Sequence, residues 1–420
     1  MNALHEPVIT LTVRSPDGTT RGNRPHPYPP TQGGFDGSSR SIRYKPVMPG
    51  SSTVLPGREY RQKKSFESHA PNSMITFTTG PLPVREQVQT VTLAKGCVLC
   101  YQGAKMVLFV TGRCHRSCWY CPLSSERKGT DTVFANEVPI DVPSQIIEVA
   151  ESMSALGTGV TGGEPLLCLD KVTEYCRMLK DHFGPDHQIH LYTAQAPTDE
   201  ELERMQGLVD EIRLHPPREC WDTILETNFL RSAKRAKEMG FDIGIEVPAL
   251  PGLELLIPAL PHLDFLNINE LEWGETNAYE MRERGYELAD ELHNAIDGAK
   301  GWAAELCRHD KVHWCSSGFK DSVQLRERLK RIAQNTARPF DEITDDGTIV
   351  YGVLESLPGQ KNALARFCRE RLEPDSFEDC GDSIAMAWWL LEKYADELPG
   401  KKYVIERYPN GGMVVEMTPL

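Results

Sequence analysis

The stretch KMVLFVTGRCHRSCWYC (residues 105–121) joins an apolar run to a loop that carries three closely spaced cysteines. Its first part, residues 105–112, has the length and the apolar content of a buried strand. The loop then places Cys114, Cys118 and Cys121 in a CxxxCxxC pattern. Three thiolates can hold three irons of a [4Fe–4S] cluster and leave the fourth iron open to another ligand. At this spacing, zinc completed by a distant fourth ligand is the alternative.

Beyond this loop, apolar runs alternate with amphipathic segments at 143–156, 171–183, 199–208 and 228–240. This alternation is typical of parallel β/α units. Six units predict an α/β fold, a partial (β/α)6 TIM-like barrel, whose chemistry lies at the carboxyl ends of the strands. The candidate strands are residues 105–112, 157–162, 188–194, 210–216, 241–250 and 264–271.

The second candidate strand ends in TGGEPLL, residues 161–167. Gly162 and Gly163 would let the backbone approach a ligand closely, and the Glu164 carboxylate could accept hydrogen bonds from an ammonium group. Because successive parallel strands end on the same side of a sheet, we expect this turn to lie beside the cysteine loop.

Together, the CxxxCxxC loop, Tyr120 before its third cysteine and the GGEP motif (residues 162–165) resemble the radical S-adenosylmethionine (SAM) superfamily. The resemblance implies a [4Fe–4S] cluster whose open iron is chelated by SAM. It also implies that Tyr120 helps to seat adenine. The loop formed by Gly162, Gly163, Glu164 and Pro165 is implied to bind the methionyl amino group. The reaction implied is reductive cleavage of SAM to a 5′-deoxyadenosyl radical, which abstracts hydrogen from a substrate. An electron donor such as a ferredoxin or flavodoxin is the implied partner.

Residues 95–420 also resemble a largely archaeal group of radical SAM proteins described as related to pyruvate formate-lyase activating enzymes. The likeness is carried by residues 103–129 and by HLYTAQ, EIRLHPP, FLNINELE and GFKDSVQLRERL. It implies no particular reaction. The substrate could be a small molecule or a protein side chain.

Polar side chains in the later strands provide weaker candidates. Alternation puts Arg213 and His215 on one face, where Arg213 could bind the cofactor carboxylate and His215 a ribose hydroxyl or a substrate group. Structural salt bridging is an equal alternative for each. Thr193 and Glu246 occupy comparable strand ends and are candidate cofactor contacts. Two asparagines share a face of the sixth strand, which indicates a hydrogen-bonded interior or a substrate pocket: Asn267 and Asn269.

A second cysteine group precedes the first strand. Cys97 and Cys100 form a CxxC, and the segment KVHWC places His313 and Cys315 on one face of a later strand. These four could form a Cys₃His site for Zn²⁺ or, less favourably, for an auxiliary iron–sulfur cluster. The alternative is a surface CxxC turn and a core cysteine. The remaining six cysteines lack ligand spacing and are expected in the core: Cys168, Cys176, Cys220, Cys307, Cys368 and Cys380.

Charge separates the chain into two parts. The net charge is −14, and residues 1–90 carry 11 Lys/Arg against 6 Asp/Glu, so the remainder carries −19. An acidic body argues against broad nucleic-acid binding. Radical RNA modification and a non-catalytic metal-binding protein on this fold remain as alternatives. No apolar run reaches 18 residues and no secretory signal is visible, so we expect a cytoplasmic protein that has no membrane partner.

Amino-acid composition divides the chain further. Residues 1–90 are rich in Pro, Gly and Ser and are predicted to be mostly disordered. The barrel, with its CxxC segment, is predicted at 91–316 and an α+β accessory region at 317–420. In that region we expect helices at 322–334, 362–372 and 382–398, a hairpin turning at Asp346-Gly347 and another turning at Asn410 to Gly412.

Overall fold

The computed structural model describes residues 93–420, apart from residues 292, 358 and 410 and the side chain of residue 321. These residues belong to one compact unit, Val91–Leu420. The predicted disordered extension at 1–90 and the turn residue Asn410 therefore lie outside the described residues.

A nine-stranded sheet forms the larger part of the unit, in the order β3-β2-β1-β4-β5-β6-β7-β8-β9. All neighbouring strands from β1 and β4 through to β9 pair in parallel, whereas β2 and β3 are antiparallel. The strands are β1 (Lys105–Phe109), β2 (Val133–Ala135), β3 (Val138–Ile140), β4 (Gly157–Thr161), β5 (Gln188–Thr193), β6 (Glu211–Leu214), β7 (Asp242–Pro248), β8 (Phe265–Asn269) and β9 (Val312–Cys315).

The six predicted parallel strands are confirmed, and β9 adds a seventh to them within the described residues. The sequence indicated a strand at KVHWC but did not place it in this sheet. The β2–β3 hairpin was not predicted, because strands of three residues are too short to show a period.

Helices follow most of the parallel strands. The longest, α3, buries Val172, Cys176 and Leu179, which lie on one face at helical spacing. Thr198 caps the start of α4, since its hydroxyl accepts the Glu201 N–H while the Glu201 carboxylate accepts the Thr198 N–H. The helices up to β9 are α1 (Lys95–Tyr101), α2 (Ser144–Ser152), α3 (Leu169–Phe183), α4 (Asp199–Met205), α5 (Asn228–Glu238), α6 (Ala278–Glu283) and α7 (Ala299–Ala303).

Helix α1 lies against the strands' amino ends, inside the curve of the sheet. The Gly96 N–H donates to Glu211 Oε2 at 3.2 Å. A Cβ at Gly96 would stand 2.5 Å from Arg213 Nη2 and 2.6 Å from His190 Nδ1, so only glycine allows this approach. The helix thereby closes the end of the sheet opposite the cysteine loop.

The C-terminal part forms a six-stranded antiparallel sheet. Ile384 and Met386 pack with Leu354, Leu364 and Cys368 in its core. Helix α8 (Ser317–Phe319) leads into a π-helical turn at Lys320–Leu325. The elements that follow are α9 (Arg326–Thr336), β10 (Glu342–Ile343), β11 (Ile349–Glu355), α10 (Lys361–Arg371), β12 (Phe377–Asp379), β13 (Ser383–Met386), α11 (Trp388–Lys393), β14 (Lys401–Arg407) and β15 (Val414–Pro419).

Both predicted hairpins are confirmed as β10–β11 and β14–β15, and the helix expected at 362–372 is α10. The helix expected at 322–334 is α9, which starts at Arg326 after the π-helical turn. The single helix expected at 382–398 is wrong. Its first part pairs with β11 as β13, because burial of Ile384 and Met386 against that strand outweighs the local helical preference.

Within the described part of the chain, no helix has both the length and the apolar character needed to cross a membrane.

Candidate functional site

A cavity of about 450 Å³ runs from the cysteine loop to helix α1. Side chains from every parallel strand line it, so the curved sheet brings distant parts of the sequence to one wall. Every predicted site residue lines this cavity except Glu164. These lining residues are Cys97, Cys100, Cys114, Cys118, Tyr120, Cys121, Gly162, Gly163, Pro165, Thr193, Arg213, His215, Glu246, His313 and Cys315.

The cysteine loop is tied to its neighbours through its backbone and Arg116. Arg116 Nε donates to the Ala194 carbonyl at 3.2 Å, and its backbone N–H donates to Cys114 Sγ at 3.3 Å. Burial raises the pKa of the Cys114 and Cys118 thiols. Three partly accessible thiols with a backbone N–H directed at one of them form a donor set that suits iron–sulfur ligation.

Gly162 and Gly163 are required for packing as well as for any ligand. A Cβ at Gly163 would lie 2.3 Å from the Arg113 carbonyl oxygen, and one at Gly162 would lie 2.5 Å from that of Thr111. The Gly163 N–H donates to the Thr111 carbonyl at 2.7 Å. The glycines therefore press the GGEP turn against the start of the cysteine loop.

Glu164 is held by donors of the protein itself. This carboxylate is fully buried and accepts from Leu166 N–H at 3.1 Å, from the Thr193 hydroxyl at 2.8 Å and from Ala194 N–H at 2.8 Å. Burial raises its pKa, and these hydrogen bonds oppose the rise. Glu164 and Thr193 therefore link the GGEP turn to the end of β5, and a contact of Glu164 with an ammonium group stays a prediction.

Tyr120, which is buried, and His215, which is partly buried, form a hydrogen-bonded pair at the cavity wall. His215 Nδ1 lies 2.9 Å from the Glu246 carbonyl oxygen, which can only accept, so Nδ1 carries the proton. Nε2 then accepts from the Tyr120 hydroxyl at 3.1 Å. Burial lowers the pKa of His215 and favours this neutral form. Asn277 Nδ2 donates to the Tyr120 carbonyl at 3.2 Å, which fixes the loop from the other side.

Arg213 is only 2% exposed and is surrounded by partners. Its Nε donates to Glu211 Oε1 at 2.6 Å and its Nη1 to Glu246 Oε2 at 2.7 Å and to the Tyr192 hydroxyl at 3.1 Å. Of the two alternatives for Arg213, the structural salt bridge is the one observed, and a direct contact with the cofactor carboxylate is not supported.

Glu246 is the acidic centre of this network. Arg213 and the amides of Asn267 and Asn269, at 2.9 and 2.8 Å, lower its pKa to about 2 despite the opposing effect of burial. Glu246 is therefore ionised and joins β6, β7 and β8. The two asparagines form the hydrogen-bonded interior that their alternation indicated.

The second cysteine group lies at the opposite end of the cavity. Cys97 and Cys100 are buried in α1, so a surface CxxC turn is excluded. Cys97 Sγ accepts from Asn267 Nδ2 at 3.3 Å, and burial raises the pKa values of Cys97 and Cys315 to about 12. In residues 93–420 as described, no three Cys, His, Asp or Glu side chains converge as a metal-binding group. Metal binding at either cysteine group therefore stays a prediction.

Three further polar residues of the cavity were not singled out by the sequence. Lys105 begins β1, Tyr192 lies in β5, and Lys320 donates to Glu272 Oε1 at 2.6 Å. The available signal for Lys105 was its alternation with Val107, which also faces the cavity. Burial alone would lower the pKa of Lys105, but Cys100 and Tyr192 beside it raise that pKa above its ordinary value.

Comparison with known proteins agrees with the motifs. The radical SAM superfamily matches residues 108–255. A Methanocaldococcus jannaschii protein, provisionally named a glycyl-radical enzyme activating enzyme, is 34% identical over 352 residues, covering 78% of this chain and 93% of that protein. The chain belongs to the radical SAM superfamily. It is an enzyme, and the family implies a [4Fe–4S] cluster and SAM as cofactors.

Two solved structures share distant likeness with this radical SAM enzyme. The methyltransferase TsrM from Kitasatospora setae has 13% identity and a TM-score of 0.35 over 55% of this chain and 60% of that one. Streptococcus suis SuiB bound to SAM has 13% identity and a TM-score of 0.33 over 58% and 54%. The chain spans less than two thirds of either. Residues 347–420 match a domain of unknown function, DUF8061.

Proposed function

We propose that this radical SAM enzyme binds a [4Fe–4S] cluster through Cys114, Cys118 and Cys121 and acts on a small molecule held in the cavity beneath. The observation that carries the proposal is that the three cysteines, Tyr120 and the GGEP turn line the same cavity as a buried polar network. When bound, the cluster and SAM would supply an electron and a 5′-deoxyadenosyl radical that abstracts hydrogen from the substrate.

The chain's own residues hold and shape this site. Arg116 and the two glycines fix the cysteine loop against neighbouring turns, and Gly162, Gly163 and Pro165 offer backbone to the methionyl end of SAM. The locked Tyr120–His215 pair supports the adenine side. The bond between Arg213 and Glu246 joins β6 to β7 beneath this site. The sheet around the cavity would limit the access of water to the reaction.

A protein substrate is the second candidate, and it is favoured by the name of the M. jannaschii relative. A small molecule is better supported by the buried polar groups deep in the cavity, which a glycyl backbone would leave unused. RNA modification is less supported, because two cavity cations, Arg213 and Lys320, are bonded to carboxylates. A ferredoxin or flavodoxin is proposed as electron donor.

Anaerobic reconstitution tests the cluster. Wild-type protein should bind about four irons and form 5′-deoxyadenosine with dithionite and SAM. The triple variant C114A/C118A/C121A should lose about four irons and all formation of 5′-deoxyadenosine, whereas Cys380→Ala, which changes an exposed cysteine outside both groups, should lose neither. Full iron content in the triple variant would disprove the assignment.

Substrate class is tested by tracing deuterium into 5′-deoxyadenosine. Labelled cell extract would be divided into a small-molecule and a protein fraction and incubated anaerobically with the reduced enzyme. We expect transfer from the small-molecule fraction. Transfer only from the protein fraction would favour the second candidate.

The Cys₃His site at Cys97, Cys100, His313 and Cys315 stays a separate prediction for Zn²⁺ or an auxiliary cluster. Its four residues line one end of the cavity, where Asn267 and Arg213 already contact Cys97. Zinc and iron content that is the same in Cys97→Ser and wild-type protein would remove this site.

A further inference from the structure

Lys105 lies deep in the cavity, far from the cysteine loop. It is the first of the five residues of β1, so it stands roughly 13 Å below the strand's carboxyl end. Its side chain is 8% exposed and lines the cavity together with that of Val107. An occupant that reaches Lys105 therefore extends from the loop to the amino ends of the strands.

No carboxylate is bonded to the Lys105 ammonium among the described residues. Its hydrogen-bond partner there is the thiol of Cys100, and its other close neighbours are Tyr192 and Arg213. Arg213, which is buried, and Lys320, which is partly exposed, each form a salt bridge to a carboxylate at this cavity. Lys105 is thus a buried cation with no carboxylate bonded to it among the described residues, and an anionic ligand would complete its environment.

The nearby carboxylates are bonded to other donors. Glu211 accepts from Arg213 through Oε1, and from Gly96 N–H at 3.2 Å and Gln188 Nε2 at 3.4 Å through Oε2. Glu246 accepts from Arg213 and from two asparagine amides. Both salt bridges of these carboxylates are to Arg213 and not to Lys105.

Tyr192 adds a second donor to the same cavity. Its hydroxyl oxygen accepts from Arg213 Nη1 at 3.1 Å, which leaves the hydroxyl hydrogen available. Tyr192 lines the cavity together with Lys105. An ammonium and a hydroxyl that face one cavity can both donate to a carboxylate or phosphate oxygen.

We propose that Lys105, assisted by Tyr192, binds an anionic group of the substrate, a carboxylate or a phosphate, at the inner end of the cavity. This inference rests on the proposed function, because it takes the cavity to be the substrate site. It defines the substrate class as a small anionic molecule whose charged group lies opposite the radical-generating loop.

Titration calorimetry of the reconstituted holoenzyme with acetate and with inorganic phosphate, at constant ionic strength, tests this proposal. We expect the wild type to bind at least one probe, and Lys105→Met to weaken that binding by at least about tenfold through loss of a charge-assisted hydrogen bond. The tighter probe identifies the anion. Lys180→Met is the matched control, since Lys180 is also buried and pairs with Asp210 away from the cavity.

Lys105→Arg keeps the charge and should bind the probe more tightly than Lys105→Met, which separates charge loss from misfolding. Equal binding by the wild type and Lys105→Met would overturn the proposal, as would no binding of either probe by the wild type. Binding that appears only in Cys100→Ala would also overturn it, by showing that a Cys100 thiolate is the native partner.

SAM cleavage assayed in parallel distinguishes the two proposals. If the wild type binds an anion through Lys105 but forms no 5′-deoxyadenosine under any reducing condition, the radical function fails and the anion site stands. If 5′-deoxyadenosine forms while anion binding is insensitive to Lys105→Met, only the anion site fails.

Discussion

Replacing Arg213 by Met tests whether the buried network holds the sheet together. Arg213, together with the Asn267 and Asn269 amides, lowers the pKa of Glu246 from the ordinary 4.5 to about 2 against the effect of burial. A difference of this size corresponds to about 3 kcal/mol of stability at neutral pH. Removing one partner of a buried ion pair costs about 3–5 kcal/mol by general experience, so the two values agree.

The assay is urea denaturation of the metal-free protein at pH 7.5. We expect Arg213→Met to lower the free energy of unfolding by about 3 kcal/mol, because two buried carboxylates lose their cation. The control Arg366→Met removes an exposed i,i+4 pair with Glu370 and should leave the free energy of unfolding nearly unchanged.

The sign of the pH dependence follows from the lowered pKa. Glu246 contributes stability fully above pH 4.5, and that contribution disappears as the pH falls towards 2. Arg213→Met should therefore flatten the acid limb of the stability curve. Glu246→Gln should also be non-additive with Arg213→Met by at least about 1 kcal/mol, since the residues are in contact. Additive effects, or a loss below about 1 kcal/mol for Arg213→Met, would refute the assigned role.

Three other outcomes are expected. Glu164→Gln should lower the free energy of unfolding by about 1–3 kcal/mol in urea denaturation, because the glutamine NH₂ would face the Ala194 N–H instead of accepting from it. An unchanged free energy would contradict the role of Glu164 in joining the GGEP turn to β5. Gly163→Ala should weaken SAM binding at least tenfold in equilibrium dialysis through collision with a backbone carbonyl, whereas Gly301→Ala, which has open space, should bind normally. His187 has its pKa lowered by burial to about 4, so the neutral form is favoured and stability falls below pH 6.5; His187→Gln should remove about 2 kcal/mol of the loss between pH 7 and 5, and an unchanged loss would refute this origin.

Much of the large sheet could be predicted, because its strands are long, apolar and separated by amphipathic helices. Pairing between distant short segments could not. β2 and β3 have three residues each, and β13 lies inside a stretch whose composition favours helix. Their conformation depends on neighbours far along the chain, which a local pattern does not contain.

For the site, the sequence indicated which residues meet but not what each one contacts. Alternation put Arg213 and Asn267 on inward faces, and Glu246 was placed at a strand end; all three line the cavity. It could not show that Glu164 is occupied by backbone donors or that Lys105 lacks a carboxylate, because both facts depend on distances between loops and strands. Whether a polar side chain supports the fold or is free to contact a ligand therefore depends on its hydrogen-bond partners in the structure, which residue type does not reveal.

The saturated pairing of Arg213 has an evolutionary consequence. Because Glu211 and Glu246 are neutralised by Arg213 within the sheet, these two buried carboxylates need no cation from the loops at the mouth. Substitutions at mouth positions such as Leu123 and Gln324, which line the cavity outside this network, can alter substrate shape at small cost in stability. The enzyme can therefore acquire new substrates by changing its rim while its interior stays constant.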